Sequence, residues 1–435
     1  PAGPHKLSLS TMWRRLPMPT IPLPCFNSNT VYPMMLDYHD ALRQLLASLQ
    51  PVSDTIPLPL DKASGHVLAA DLPALYDTPQ FDNSAMDGYA VADPEGNSTC
   101  FMLAGRIAAG ESPELTLQAG QAARIFTGAP VPAGATTVVP QEDVQTEGDT
   151  LILAQPARAG AHIRRRAEEY AAGGTLLNQG TLLDPAAVAL AASQGHAALP
   201  VLRPLRVAVF SSGNELREPG TDLAPGQIYD ANRYQMLAWL AGMPVEVVLS
   251  GCLPDDAVIT RERLQTVSTQ ADVILTSGGV SVGEEDHVRA ALADIGQLDV
   301  WKLAIKPGKP FAWGSAGQAR VFMLPGNPVA TFVTFFMLVA PALRKLQGLP
   351  QPEPLAVQAV SGFERLKREP RREFLRAVAQ AGPDGRWHVS ALQGQGSAML
   401  SACVQANVLA EIAPDTPVAV GDPVTIYPLP GKGWF

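Results

Sequence analysis

Three short loops carry the densest set of reactive residue types in this chain: SSGNE (211–215), TSGGVSVGEED (276–286) and LPGNP (324–328). Each follows an apolar run of strand length and is built from Gly, Ser, Asn and Pro. Small residues let backbone N–H groups close on an anion, and a helix start beyond the loop favours negative charge. A glycine after a strand is equally often a plain turn, so one such loop decides little and three in one sheet carry the argument. None is a GxGxxG or Walker A loop, which argues against a dinucleotide or P-loop nucleotide site. Acids close two of the loops: Glu215 in the first, and Glu284, Glu285 and Asp286 in the second. In a helix's first turn such acids serve as caps. They can also hold Mg²⁺, which takes one or two carboxylates plus substrate phosphate and so lets acids and phosphate share one pocket.

The cations gather elsewhere. WKLAIKPGKPFAWG (301–314) holds Lys302, Lys306 and Lys309. Read as a strand, it points Lys302 and Lys306 the same way. They would then guard a sheet edge or form a cationic patch for phosphate or an oxyanion. FDNSAMDGYAV (81–91) packs Asp82, Asn83, Ser84 and Asp87 into one turn, as an Asx-turn or as the wall of a polar site. IFTGAPVPAGA (125–135) leads from a strand into a loop with Thr127 at its lip. The charge run HIRRRAEEYAAGG (162–174) reads as a solvated connection.

The elements that must position these residues follow from periodicity. Tyr38, Leu42, Leu45, Leu46 and Leu49 recur at helical spacing over 35–49. From about 70 to 158 the apolar runs are short and broken by Gly, Pro and Asp, the pattern of a β-rich domain. DPAAVALAASQG (184–195) reads as a helix with Asp184 at the N-cap, Pro185 at N1 and Gly195 at its end. Strand and helix then alternate from RVAVFSSG (206–213) to HVRAALADIG (287–296), which predicts a parallel α/β sheet with ligands beyond the carboxyl ends of its strands. The apolar run 324–343 opens with LPGNP and contains Pro341, so it predicts a buried helix rather than a membrane span. Five short strands after 351 predict a small β-barrel or sandwich.

Bulk composition narrows the class. The chain has 435 residues, 46% of them hydrophobic, enough for two to four domains with sizeable cores. A net charge of −9 without an extended basic tract argues against nucleic acid as a partner. Cys25, Cys100, Cys252 and Cys403 form no CxxC pair, and the seven histidines show no ligand spacing with them. This predicts a reducing, cytoplasmic setting without structural zinc, and the reading of 324–343 as a buried helix predicts no membrane partner. Residues 1–33 hold seven prolines and no periodicity, and read as a disordered or non-native extension before Met34 or Met35.

FDNSAMDGYAV, RIFTGAPVPAGA, SSGNEL, GQIYDANR, SGGVSVGEEDHV, KLAIKPGKPFAWG and LPGNPVATFVTF occur in one order over about 36–430. Together they resemble the molybdopterin molybdenumtransferase family, the bacterial molybdenum-insertion enzymes similar to the E domain of gephyrin. The resemblance implies a multidomain α/β plus β fold. An elongated domain would be built from 34–69 and 159–203, with a β domain inserted at 70–158. A molybdopterin-binding three-layer α/β domain with a parallel-type sheet would span 204–348, and a C-terminal β-barrel 349–435. It also implies a homodimer whose site lies between the α/β domain of one subunit and the inserted β domain of the other.

The implied reaction inserts molybdate into adenylylated molybdopterin and releases AMP with help from a divalent cation, usually Mg²⁺. Carried over by position, Asp286, Lys302, Lys306 and Asp82 would be catalytic. Thr127, Glu215, Asp255, Ser277, Gly278, Gly279, Lys309, Pro325, Pro328, Arg376 and Ser397 would bind substrate, and Asp286 with Glu215 would hold the metal. A molybdopterin adenylyltransferase and molybdoenzyme-maturation proteins are the implied partners. The family often has Gly-Glu-Asp where this chain has Ala167, Glu168 and Glu169, so a longer acid, Glu169, stands at the family's aspartate position. Rival readings are a non-catalytic molybdopterin-binding scaffold, an adenylyltransferase, and a tungsten-preferring relative.

Overall fold

The structure is a computed structural model and describes residues 35–111, 114–279 and 287–433. The expectations for residues 1–33 and for Asp286 lie outside the described residues.

The centre is a six-stranded sheet in the order Val245–Leu253, Leu205–Ser212, Val273–Ser277, Ala319–Leu324, Ala312–Ala316 and Gly296–Trp301. Alternate residues of its strands serve two different cores, as a period of two requires. Val207, Val209 and Leu275 pack with Met236 and Leu240 of the helix Ala231–Leu240 and with the helix that starts at Pro328. Ala208, Phe210 and Ile274 pack on the other face with Leu264 of Ala257–Val267 and Leu292 of His287–Ile295. This is a three-layer α/β unit. Four strands run parallel, but Ala312–Ala316 and Gly296–Trp301 are antiparallel to their neighbours. The reason is local: only two residues join Ala312–Ala316 to Ala319–Leu324, and a link that short permits only a hairpin.

The predicted helix at the start is Tyr38–Ala47, capped by Asp37 and burying Tyr38, Ala41, Leu42, Leu45 and Leu46. Its apolar face shares a core with the helical run 328–346. That run is long and apolar enough to cross a membrane, yet most of it is buried inside the protein, as its sequence predicts. Pro341 has no N–H to continue the ladder. The turn before it widens into the π segment Phe335–Val339, and the Ala340 N–H reaches back to the Phe335 carbonyl.

Thr55–Pro59 pairs antiparallel with Ala198–Leu202, and Leu72–Pro73 with Thr175–Leu177. Ala63, Leu68, Leu183, Ala187 and Leu199 form one core beneath them. The chain therefore leaves this unit and returns to it. The helix Pro185–Ser193 carries the predicted Asp184 cap, whose carboxylate accepts from the Ala187 N–H at 2.8 Å. Between the two passes lies a six-stranded sheet running from Gly88–Val91 to Thr150–Leu153 in sequence.

At the C-terminus, Arg372–Ala381 pairs with both Trp387–Ala391 and Val408–Ile412, which closes a barrel. A sixth strand comes from outside the predicted five: Ile305–Lys306 pairs in parallel with Arg372–Glu373. The lysine segment is thereby stitched to the barrel.

Candidate functional site

The three glycine loops converge at the carboxyl ends of the parallel strands. Gly278 has φ +89°, and a Cβ there would sit 2.6 Å from the Ser212 carbonyl, so only glycine allows loops one and two this close. The Gly278 N–H donates to the Leu324 carbonyl at 3.2 Å, and the Ser277 hydroxyl to the Pro325 carbonyl at 3.2 Å. Loops two and three are therefore joined as well. Pro325 is buried at the root of the third loop, and Pro328 opens its helix at N1. Gly279 follows Gly278 with φ +64°.

Asn232 braces this arrangement, and sequence reading alone does not single it out. Its amide donates to both the Ser277 Oγ and the Gly326 carbonyl, at 2.7 Å each. Its Oδ1 is buried without a partner among the described residues. The one sequence signal for it is its place in GQIYDANR. In the first loop, Glu215 is exposed and Gly213 lies under it: a Cβ on Gly213 would come within 2.3 Å of the Glu215 carboxylate. Asp255 accepts from the Asn214 N–H at 2.9 Å, which places a second carboxylate beside this loop. No helix opens directly behind it, contrary to the expected strand–loop–helix order. A two-residue strand pair intervenes, and the helix begins at Ala231 with Asp230 as its cap.

The lysine segment differs from expectation. It is not one strand: Gly296–Trp301 ends before Lys302, whose φ is +76°, a single bridge joins Leu303 to Leu36, and strand pairing resumes at Ile305. The equal-parity argument for Lys302 and Lys306 therefore fails. Lys306 lies 3.0 Å from Glu369 and 3.0 Å from Glu373. Burial opposes its charge, but these two carboxylates raise its pKa above the ordinary lysine value. Lys309 is exposed, and its backbone carbonyl accepts from the Leu303 N–H.

Arg376 is buried, with 1% of its surface exposed. Its guanidinium reaches only carbonyls, at 3.3 Å to Phe374, 3.5 Å to Gly394 and 3.4 Å to Gly396, and its Nε has no partner among the described residues. Those contacts are long, and a buried under-bonded cation requires an explanation. Burial pulls its pKa below the usual guanidinium value. It lines a cavity of about 240 Å³ with Lys306, Arg365, Glu364 and Glu373. Ser397 sits nearby in sequence, and its carbonyl accepts from the Val329 N–H at 3.1 Å, tying the barrel to the third loop's helix.

Asp82 and Thr127 belong to a different surface. Asp82 accepts from the Arg166 N–H at 2.8 Å and from the Arg165 guanidinium at 2.6 Å, and these bonds lower its pKa. Thr127 donates through both its N–H and its hydroxyl to Asp87, at 2.8 Å each. Asp82 and Asp87 thus serve separate contacts rather than one turn. The 162–174 run is not simply a solvated connection either. Ile163–Arg164 pairs with Asn83–Ser84, and Arg166 also binds Asp77. Among the described residues the hydrogen bonds of Asp82 and Thr127 stay within residues 82–166 and reach none of the three α/β loops.

Among the described residues no group of three or more His, Cys, Asp or Glu could hold a metal. What the loops offer is carboxylate oxygen from Glu215 and Asp255, a donor set suited to a hard cation that keeps waters or substrate oxygens.

Comparison with known proteins gives three matched regions. Residues 36–195 match the MoeA N-terminal region (domain I and II), 208–345 a probable molybdopterin binding domain, and 358–429 the MoeA C-terminal region (domain IV). A molybdopterin molybdenumtransferase of Haemophilus influenzae is 38% identical over 398 residues, covering 91% of this chain and 98% of that protein. One from Nostoc is 34% identical over 414 residues, covering 92% and 95%. The crystal structure of the molybdopterin biosynthesis moeA protein from Pyrococcus horikoshii superposes with a TM-score of 0.79 at 28% identity, covering 91% of this chain and all of that one.

Proposed function

The chain belongs to the MoeA family of molybdopterin molybdenumtransferases, and from that premise we propose how its residues divide the work of molybdate insertion. It is a transferase of molybdenum cofactor biosynthesis. Adenylylated molybdopterin and molybdate are its substrates and AMP the released product. The scaffold and adenylyltransferase readings are not favoured, because the relatives named for the transferase match across the inserted β domain as well as the α/β domain.

The observation that carries the site assignment is the convergence of the three glycine loops under Asn232. The backbone N–H of Gly279 would donate to the phosphoanhydride, while Gly278, whose N–H is taken by the Leu324 carbonyl, would hold the loop in place for it. Glu215, with Asp255 beside it and Asp286 beyond the described residues, would hold Mg²⁺. When bound, that ion would neutralise charge on the phosphate oxygens. Lys302, Lys306, Lys309 and Arg376 would hold molybdate and the charge that develops as the phosphoanhydride opens. Pro325 and Pro328 would shape the third loop, and Ser397 would complete the oxyanion side. Cys100, Cys252 and Cys403 are free thiols, in keeping with a cytoplasmic setting. An adenylyltransferase would supply the substrate.

Asp82 and Thr127 would act across a homodimer, facing the loops of the partner subunit. Two observations support this: their bonds stay within their own β domain and its return strand, and the flanking Phe81 and Met86 are 46% and 39% exposed. The test is complementation between inactive variants. Asp82→Asn and Glu215→Gln are each expected to be inactive alone. After subunit exchange at equal amounts, half the dimers are mixed and one of the two sites in each is intact, so about a quarter of wild-type activity should return. No recovery in verified mixed dimers would contradict a shared site.

A further inference from the structure

We propose that Glu369 is an internal competitor for the oxyanion: its carboxylate holds the Lys306 ammonium until a tetrahedral dianion displaces it, and it thereby sets the protein's affinity for molybdate. The inference rests on the reading of Lys306 and Arg376 as the oxyanion side of the site.

Two carboxylates contact Lys306, and they are held in different ways. Glu373 lies inside the barrel strand Arg372–Ala381, is 3% exposed, and is gripped by the Arg365 fork at 2.9 and 2.8 Å. It sits directly across from Lys306 in the strand pairing. Withdrawing it would strand a buried charge, so it is fixed. Glu369 lies on the connection before that strand. One of its oxygens is 3.0 Å from the Lys306 ammonium and the other 2.9 Å from Arg371. If Lys306 turns away, Glu369 keeps Arg371 as a partner and is not left bare. The Lys306 side chain is 38% exposed, which leaves it a path to move.

The cavity behind this pair has cations in excess. Lys306, Arg365 and Arg376 line it against Glu364 and Glu373, and among the described residues Arg376 has no partner for its Nε and only long carbonyl contacts. Such a site would draw in any small anion. A carboxylate already seated on its most mobile cation imposes the same cost on every anion that enters. Removing that carboxylate should therefore tighten binding, whereas removing an ordinary supporting residue should weaken it. The sign of the effect separates the two roles.

The experiment is calorimetric titration of the full chain with sodium molybdate, comparing wild type, Glu369→Gln and Lys306→Gln. Gln keeps the shape of Glu369 and removes its charge. Glu369→Gln should bind molybdate about two- to fivefold more tightly, the range expected from losing one partly exposed ion pair. Lys306→Gln should bind it more weakly. Weaker or unchanged binding by Glu369→Gln, with Lys306→Gln weakened, would overturn the competitor role while leaving the oxyanion site standing. Unchanged binding by Lys306→Gln would overturn both.

Discussion

Arg376 and Lys306 face the same cavity and are held in opposite ways. Lys306 has two carboxylates, whereas Arg376 has carbonyls at long range and a bare Nε. The residue that best fits a waiting oxyanion site is thus the one whose hydrogen bonds are incomplete. Asn232 acts at the same scale. It makes no contact that sequence alone would foresee, yet its two 2.7 Å bonds join the second and third loops. Asn232→Ala removes both donors and leaves the Gly326 carbonyl unpaired. Loops displaced by a fraction of an ångström lose alignment with the phosphoanhydride. The expected outcome is a KM for adenylylated molybdopterin raised about tenfold with the thermal midpoint lowered only slightly, since one or two hydrogen bonds contribute about 1–2 kcal/mol. A large fall in midpoint with an unchanged KM would assign Asn232 a purely structural role. Asn232 stayed hidden in the sequence because its partners are a hydroxyl and a carbonyl distant along the chain, and periodicity carries no trace of such pairs.

At the scale of elements, local patterns were legible and pairings were not. Asp184, Pro185 and Gly195 bound their helix as capping rules predict. Tyr38 to Leu46 bury the face their spacing defines. The five barrel strands are readable as alternating runs, but the sixth strand, Ile305–Lys306, is two residues long and leaves no pattern. Lys302 breaks strand parity through a left-handed backbone that residue type does not announce. One ionic joint couples elements and can be tested. Arg203, just past the strand Ala198–Leu202, forks onto Asp272 at 2.6 and 2.9 Å, and Arg206 of the first central strand also reaches it. Burial alone would raise the Asp272 pKa. The two guanidiniums override it and hold it at about 2, below its ordinary 3.8. A depressed carboxyl contributes stability above its unfolded pKa and loses it as pH falls through the folded one. Asp272 should therefore contribute about 2 kcal/mol at neutral pH, lost between about pH 4 and 2. Asp272→Asn should lower stability by that amount at pH 7 and flatten the acid limb of a denaturation series. An unchanged acid limb would contradict the assignment.

For the whole molecule, the chain order and the spatial order differ. The unit around Thr55–Pro59 is completed only when Ala198–Leu202 returns to that strand, with the six-stranded sheet between Gly88 and Leu153 lying between them in sequence. The lysine segment leaves the α/β unit to join the barrel before re-entering the central sheet. The glycine loops and the carboxylates of Glu215 and Asp255 meet at the carboxyl ends of one sheet, Lys306 and Arg376 line a cavity at the barrel, and Asp82 and Thr127 bond within residues 82–166. Both proposed substrates are anions and the chain is acidic overall, so on the proposed reading local cations, together with a divalent ion, would do the neutralising. The most direct test of this account is AMP release from adenylylated molybdopterin by the purified chain, with molybdate and Mg²⁺ supplied together, singly and not at all. The account predicts release that requires both and leaves molybdenum on the dithiolene. Release independent of molybdate, or tight retention of the intact nucleotide with both present, would contradict it.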